Sequence, residues 1–381
     1  MYKGIFVDDR ADQDTYAKSL SEVMPELLSV GFSLPNERLE EMADTLLKAH
    51  WDFIALDFRL DESPVVIKAG EPAVNRYRAS TIAQHLRDRI IDNPENDLPL
   101  ILLSNEDKIK NMFRHDTTAE DLFDLVVPKE QLADSIASAE IVARKIVDLA
   151  AAYKEAKDII KAGKPKFVMR LTALTDDREG SILDHQSIRA VDRLNCPHQI
   201  IPRIEKLLID RSGILVSQEH LLAKLGVATD SVDLESLRKA LRAENTDYRG
   251  ILSAAWPRWW WHRVDSLMRK LLDHPLQSMT GAERVIAINK ALGIALTPAR
   301  STTTDTSDEY FWVACASCNQ PTELDHSVTA YDSYYEPFLE PTRICWRCIK
   351  TGEYAKPTLG LEVDDSDRSV VSDLQHKTAP E

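Results

Sequence analysis

Glycine is scarce in this chain, with 12 in 381 residues. Phosphate-cradling loops rely on closely spaced glycines, and neither a GxxxxGK[ST] loop nor a GxGxxG fingerprint is present. HExxH and GxSxG are missing too. No independent enzyme domain is expected. No apolar run reaches the ~18 residues of a membrane span, and no charged-then-apolar leader opens the chain. The expectation is a cytoplasmic protein with no membrane partner. Internal repeats and low-complexity tracts are also absent. Cysteine is limited to five, four of them in two CxxC pairs, which reads as metal binding in a reducing compartment rather than as a disulfide framework.

What is abundant is acid. Asp and Glu number 62 against 47 Lys and Arg, a net charge of −15. Residues 1–165 carry 21 basic and 31 acidic side chains, residues 166–300 carry 20 and 16, and residues 301–381 carry 6 and 15. Only the middle third is not electrostatically opposed to nucleic acid.

The N-terminal third alternates apolar runs with amphipathic stretches. KGIFVDD, DFIALD, LPLILLS and DLFDLVVPK are near-continuous apolar runs that end in polar residues. Such runs, spaced by helical segments such as Asp14–Val23, NERLEEMADTLLKAH from Asn36 and STIAQHLRDRII, predict a parallel sheet covered on both faces. A further strand is expected near Leu27–Phe32, and a fourth helix around Asp107–Phe113. Ligands bind such sheets at the carboxyl ends of the strands. Asp8, Asp9, Asp57, Ser104 and Lys129 would meet there: three carboxylates, a hydroxyl and a cation.

This pattern resembles the receiver domain of bacterial response regulators over roughly residues 1–165. The resemblance implies a doubly wound, five-stranded, flavodoxin-like fold. It implies that Asp8, Asp9 and Asp57 hold Mg²⁺, that Asp57 accepts a phosphoryl group, that Ser104 is the switch hydroxyl and that Lys129 pairs with the phosphate. The chemistry agrees, because Mg²⁺ takes carboxylate oxygens and an aspartate can be the nucleophile of phosphoryl transfer. Two departures stand out. The Arg59–Ala79 segment is longer than the family's loop, and the usual Lys-Pro of the last strand is inverted to Pro128-Lys129. A haloacid-dehalogenase-type phosphatase would need a carboxylate two residues after its nucleophile, where this chain has Arg59.

From Leu132 to Ile160 the chain has no Pro or Gly, and a 4-3 apolar spacing runs through Ala139, Ala143, Ile146, Ala150 and Tyr153. One reading is a coiled helix that makes a homodimer through 132–160. The other is a helix whose second half packs on the next domain. Residues 166–300 read as helical, in IIPRIEKLLI, SQEHLLAKLG, LESLRKALRA, WHRVDSLMRKLL and GAERVIAINKAL. LLAKLGVATDSVDLESLRKALR weakly resembles a helix-turn-helix, but Asp230, Asp233 and Glu235 at its would-be recognition helix would repel phosphates. Trp259, Trp260 and Trp261 cannot share one helical face, so core and interface roles are expected to divide among them, with Arg258 and Arg263 available to stack. Cys196 reads as a core thiol.

Cys315-x₂-Cys318 and Cys345-x₂-Cys348 supply the four thiolates a structural Zn²⁺ prefers, and the segment resembles a zinc ribbon. With all four positions filled by sulfur, no open site is left for catalysis. His326 reads as a solvent-facing loop residue. The aromatics Tyr331, Tyr334, Tyr335, Phe338 and Trp346 serve either the ribbon core or a protein contact.

The expected organisation is a receiver-like domain at 1–131, a connecting helix at 132–165, an α-helical domain at 166–300, a zinc ribbon at 308–360 and a disordered acidic tail at 361–381. The function these parts imply is a signalling switch with protein partners, a histidine kinase or an operon-encoded effector, rather than nucleic acid. The alternatives are an unphosphorylated adaptor and a DNA-binding response regulator. Receivers with long inserts and unfamiliar C-terminal domains also resemble those of prokaryotic anti-phage operons.

Overall fold

The computed structural model describes residues 1–61, 64–66, 72–74, 77–109, 121–163, 166–301, 303, 306–332, 334, 336–356 and 359–376. The chain divides into two units. One comprises Met1–Glu205 with Gly250–Trp256, the other Lys206–Arg249 with Pro257–Glu381.

In the first unit the apolar runs become β1 (Tyr2–Val7), β2 (Leu28–Ser33), β3 (Phe53–Leu56), β4 (Leu100–Ser104) and β5 (Leu125–Pro128). All pair in parallel, in the order β2-β1-β3-β4-β5. This is the doubly wound flavodoxin-like order. Successive side chains point to opposite faces, and both faces are covered. Ile5, Val7, Ile54, Leu56, Leu100 and Leu102 pack under α2 (Leu39–Lys48) and α3 (Ala79–Asp92). Phe6, Phe53, Ala55, Ile101, Leu103 and Val127 pack under α1 (Asp14–Val23) and the helix that follows β5. Gly4 is required by this layering, because a Cβ there would lie 2.0 Å from the Phe53 ring.

Three expectations about this unit are corrected. Helix α2 starts at Leu39, not Asn36, because the Asn36 carbonyl accepts the Tyr77 hydroxyl and its N–H is 3.4 Å from Met42 Sδ. The stretch from Leu132 is two helices, α4 (Lys129–Asp134) and α5 (Ile136–Lys161). Ser135 separates them in an extended conformation, and its hydroxyl caps α5 by accepting from Ser138 N. The seam residues Ala139, Ala143, Ile146, Ala150 and Tyr153 are all buried within the chain, so the alanine seam is not open for a coiled homodimer through 132–160. The far half of α5 packs instead on Phe167–Leu171 and Pro197–Ile204. The long segment after Asp57 holds an antiparallel pair, Pro64–Val66 with Pro72–Val74. Residues 62–63, 67–71 and 75–76 lie outside the described residues, as does 110–120, where most of the expected fourth helix falls. Its first turn, 106–109, is helical.

The expected helical domain at 166–300 is shared between the units. Residues 166–205 belong with the sheet, and 250–256 join them through Ile251 N to Leu171 O at 2.8 Å and Ala255 N to Asp148 Oδ2 at 2.8 Å. Cys196 is buried there.

The second unit contains the helices Gln218–Leu225, Leu234–Ala243, Trp261–Leu271 and Gly281–Leu292. Gly226 ends the first in the left-handed region (φ +73), with the Gly281 backbone only 2.5 Å from where a Cβ would stand. Trp259 and Trp260 are buried in a short strand paired with Leu215–Val216, and Trp261 sits edge-on to Trp312 at 5.8 Å. Arg263 lies over the Trp260 ring at 5.7 Å, whereas Arg258 donates to the Ile209 carbonyl. Two antiparallel pairs, Val313–Ala314 with Pro321–Thr322 and Ser327–Thr329 with Arg343–Cys345, carry the cysteines. The expected disordered tail is ordered through residue 376. Ala330 bridges Val363, and Leu374 of the helix Arg368–His376 is buried among Val328, Ile344 and Ile349. A ribbon this small needs the extra apolar cover. Tyr335 and residues 377–381 lie outside the described residues.

Candidate functional site

The strand register decides which polar side chains meet. Val7 pairs with Leu56, Leu56 with Leu102, and Ser104 with Pro128. Asp8, Asp57, Ser104 and Lys129 therefore leave the sheet at neighbouring carboxyl ends. All four are essentially buried, at 1%, 2%, 0% and 3% exposure, and Asp9 beside them is at 8%.

Lys129 is the centre of the cluster. Its Nζ lies 2.6 Å from Asp8 Oδ2, 2.7 Å from Asp57 Oδ1 and 3.2 Å from Gln13 Oε1, with the Phe6 and Tyr16 rings at 5.5 Å. The Pro128-Lys129 inversion is accommodated simply. Pro128 ends β5 level with Ser104, and Lys129 opens α4, where helical side chains lean back towards the N-terminus and so over the sheet end. Ser104 Oγ donates to Asp57 Oδ1 at 3.0 Å, and Arg59 N donates to Asp57 Oδ2 at 2.9 Å. Arg10 N donates to Asp8 Oδ1 at 2.9 Å.

Burial, and then the Asp57 charge, hold the Asp8 carboxyl above its ordinary value despite Lys129. Burial alone would lower the Lys129 amine, but Asp57 and Asp8 outweigh it and keep it raised. The amine is therefore a fixed positive charge between two carboxylates. Carboxylate oxygens are donors of the kind Mg²⁺ takes, but here the lysine amine stands between Asp8 and Asp57. Any cation there would compete with Lys129 for Asp8 and Asp57.

Cys315, Cys318, Cys345 and Cys348 bring their Sγ atoms within 4.8 Å of one another, and among the described residues they are the one group placed to hold a metal ion. The Cys315–Cys348 and Cys318–Cys345 separations are 3.9 and 3.8 Å. A tetrahedron with Zn–S bonds of about 2.3 Å has edges of about 3.8 Å, so the cluster is sized for zinc. Around it, Cys345 N donates to Cys315 Sγ at 3.2 Å, and Arg347 links Cys348 to Glu353. His326 is not in the set. It lies 2.7 Å from Glu323 and edge-on to Trp346.

Sequence reasoning missed a second buried ionic cluster, at the opposite ends of the strands. Arg87 Nη1 lies 3.2 Å from Asp97 Oδ1, and Nη2 lies 2.6 Å from Asp124 Oδ2. The Tyr153 hydroxyl donates to Asp124, while Asp97 Oδ2 accepts from His198 N at 2.8 Å and faces its Nδ1 at 2.9 Å. Lys157 donates to the Asp97 carbonyl at 2.9 Å. The signal was an arginine inside the apolar stripe of α3, between Leu86 and Ile90, and an aspartate just before each of β4 and β5.

No family model and no curated protein matches this chain. Among solved structures it is similar to a cysteine-to-serine mutant of RitR, at 13% identity and a TM-score of 0.28 over 42% of this chain and 56% of that one. It is similar to NtrX from Brucella abortus, at 17% identity and a TM-score of 0.28 over 58% and 39%. It is also similar to the Salmonella typhimurium response regulator RcsB, at 14% identity and a TM-score of 0.22 over 54% and 88%. The chain thus spans about half of RitR and less of NtrX. Likenesses this distant add nothing to what the strand order and pocket geometry establish.

Proposed function

We propose that the first unit is a receiver-type signalling module in which Asp57 accepts a phosphoryl group and the change is passed to a protein partner. The observation that carries this reading is the Asp57 carboxylate itself. It is buried at a strand end, and one oxygen contacts both Lys129 and Ser104. Attack by that oxygen on a phosphoanhydride or acyl phosphate forms an O–P bond and releases the leaving group of the donor. Lys129 would then neutralise charge on the transferred group, and Ser104 would exchange its carboxylate partner for a phosphoryl oxygen. Mg²⁺ at Asp8, Asp9 and Asp57 would supply further neutralisation only once Lys129 releases Asp8 and Asp57, because the three carboxylates are not grouped as a metal site while it bridges those two. The Ser104 end of β4 is linked to α4, since Asn105 Nδ2 and Glu106 N donate to Glu130 at 3.2 and 3.1 Å. That link gives the pocket a mechanical route to α4 and α5.

The C-terminal cysteine cluster fits a structural zinc site, and we assign the second unit to protein contact rather than DNA reading. Residues Gly226–Asp233 separate the helices Gln218–Leu225 and Leu234–Ala243, a longer connection than the 3–4 residues of a helix-turn-helix. Glu235 points to solvent and pairs with Arg238 and Arg242.

One observation supports an unphosphorylated adaptor instead. Lys129 already satisfies Asp8 and Asp57, so the pocket is stable without a metal or a phosphoryl group. Titration of wild type and Asp57→Asn with Mg²⁺ and beryllofluoride, a phosphoryl mimic, separates the two. Saturable stabilisation of the wild type alone supports the receiver, and no response in either protein supports the adaptor.

A further inference from the structure

Within the second unit, a cavity of about 180 Å³ is lined by Ser212, Ser217, His220, Arg258, Glu340 and Arg343, among others. It far exceeds the ~10–15 Å³ that holds one water. Three polar atoms of its lining residues are buried with no hydrogen-bond partner: Ser212 Oγ, Arg343 Nε and Glu340 Oε2. Ser212 as a whole is 7% exposed. Unpaired buried polar groups are costly, and native proteins satisfy nearly all of them. Three such atoms belong to residues lining this one cavity, so a polar occupant would find donors and acceptors there.

The chemistry of the three defines that occupant. Arg343 Nε is a donor and asks for an acceptor. Glu340 Oε2 is an acceptor and asks for a donor, since its other oxygen is held by Lys224 at 2.6 Å. Ser212 can serve as either. The lining carries three arginines against two carboxylates, a net positive charge. The eight-residue helix Gln218–Leu225, capped by Ser217, begins at the cavity, and a helix N-terminus favours an anion. A bare oxyanion satisfies the arginine and leaves the Glu340 oxygen facing negative charge.

We propose that this cavity binds a phosphate monoester that also carries hydroxyl groups, of the sugar-phosphate or polyol-phosphate type. Its phosphoryl oxygens accept from Arg343 and Ser212, and a hydroxyl donates to Glu340. Arg343 lies in the strand that leads into Cys345, so an occupant would join the cysteine-bearing segment to the helix Gln218–Leu225.

Calorimetric titration of the full zinc-loaded chain tests this, with glycerol 3-phosphate, inorganic phosphate and glycerol as probes. Saturable binding of glycerol 3-phosphate, about tenfold or more tighter than inorganic phosphate, is expected, with none by glycerol. Ser212→Ala and Arg343→Gln should each weaken it by about tenfold or more, the usual loss for one charge-assisted hydrogen bond. Asp57→Ala should leave it unchanged. No saturation at millimolar concentration, equal affinity for inorganic phosphate, or wild-type binding by both cavity variants would overturn the proposal. Binding lost in Asp57→Ala but kept in Ser212→Ala would overturn it too, by moving the ligand to the receiver pocket.

Discussion

Replacing Arg87 with leucine should be among the most destabilising single changes in the first unit. The guanidinium is buried at 7% exposure and holds two carboxylates, Asp97 at 0% and Asp124 at 2%. Leucine keeps much of the volume but removes both ion pairs and the donor to the Leu98 carbonyl at 3.0 Å. The two acids remain buried without the guanidinium that bridges them. Breaking one buried pair in this way costs about 3–5 kcal/mol. Tyr153, His198 and the Leu100 N–H stay on the carboxylates and keep the loss towards the lower end of that range. For a unit of this size that is a fall of about 6–15 °C in its melting temperature, at roughly 2–4 °C per kcal/mol. Differential scanning calorimetry of the wild type and the variant reads this directly. A deficit below about 1 kcal/mol would refute the account of the cluster.

Three further outcomes follow from particular contacts. Gly4→Ala places a methyl group 2.0 Å from the Phe53 ring, so a loss of about 1–3 kcal/mol in chemical denaturation is expected, and unchanged stability would show that the two sheet faces are less tightly layered than described. Burial pushes His220 down to about 4, so its contribution is fully present above its ordinary value of 6.5 and is lost as the pH falls towards 4. That loss reaches at most about 3 kcal/mol in the second unit, and His220→Asn should flatten the pH profile between those limits. Native mass spectrometry should find one zinc ion per chain. A chelator should remove it and expose the Val328, Ala330 and Ile344 amides to hydrogen exchange, whereas unchanged protection would show that the cysteine cluster folds without metal.

Much of the first unit was legible because its central strands, β3 and β4, are buried along their whole length. A strand of that kind must be apolar at every position, so the polar residue that ends it stands out, and Asp8, Asp57, Ser104 and Lys129 all emerge at the same sheet edge. Periodicity likewise placed the helices at 218–225, 234–243, 261–271 and 281–292 to within a residue or two. Long-range satisfaction was not legible. Nothing local shows that Arg87 finds Asp97 and Asp124, or that the Asn36 carbonyl is taken by Tyr77. The acidic tail misled for the same reason. Its charged composition suggests disorder, but Leu374 and Val371 reach the ribbon core, and the Thr329 N–H donates to Asp367 at 2.6 Å. The Lys206 boundary was hidden because helices on both sides of it carry the same apolar period.

The central claim is that Asp57 is a phosphoryl acceptor. Intact-mass measurement after incubation with acetyl phosphate and Mg²⁺ tests it most directly, with wild type, Asp57→Ala and Lys129→Met in parallel. The account predicts one added phosphoryl mass on wild type, none on Asp57→Ala, and a reduced fraction on Lys129→Met. No added mass on a folded wild-type protein, or the same gain on Asp57→Ala, would contradict it.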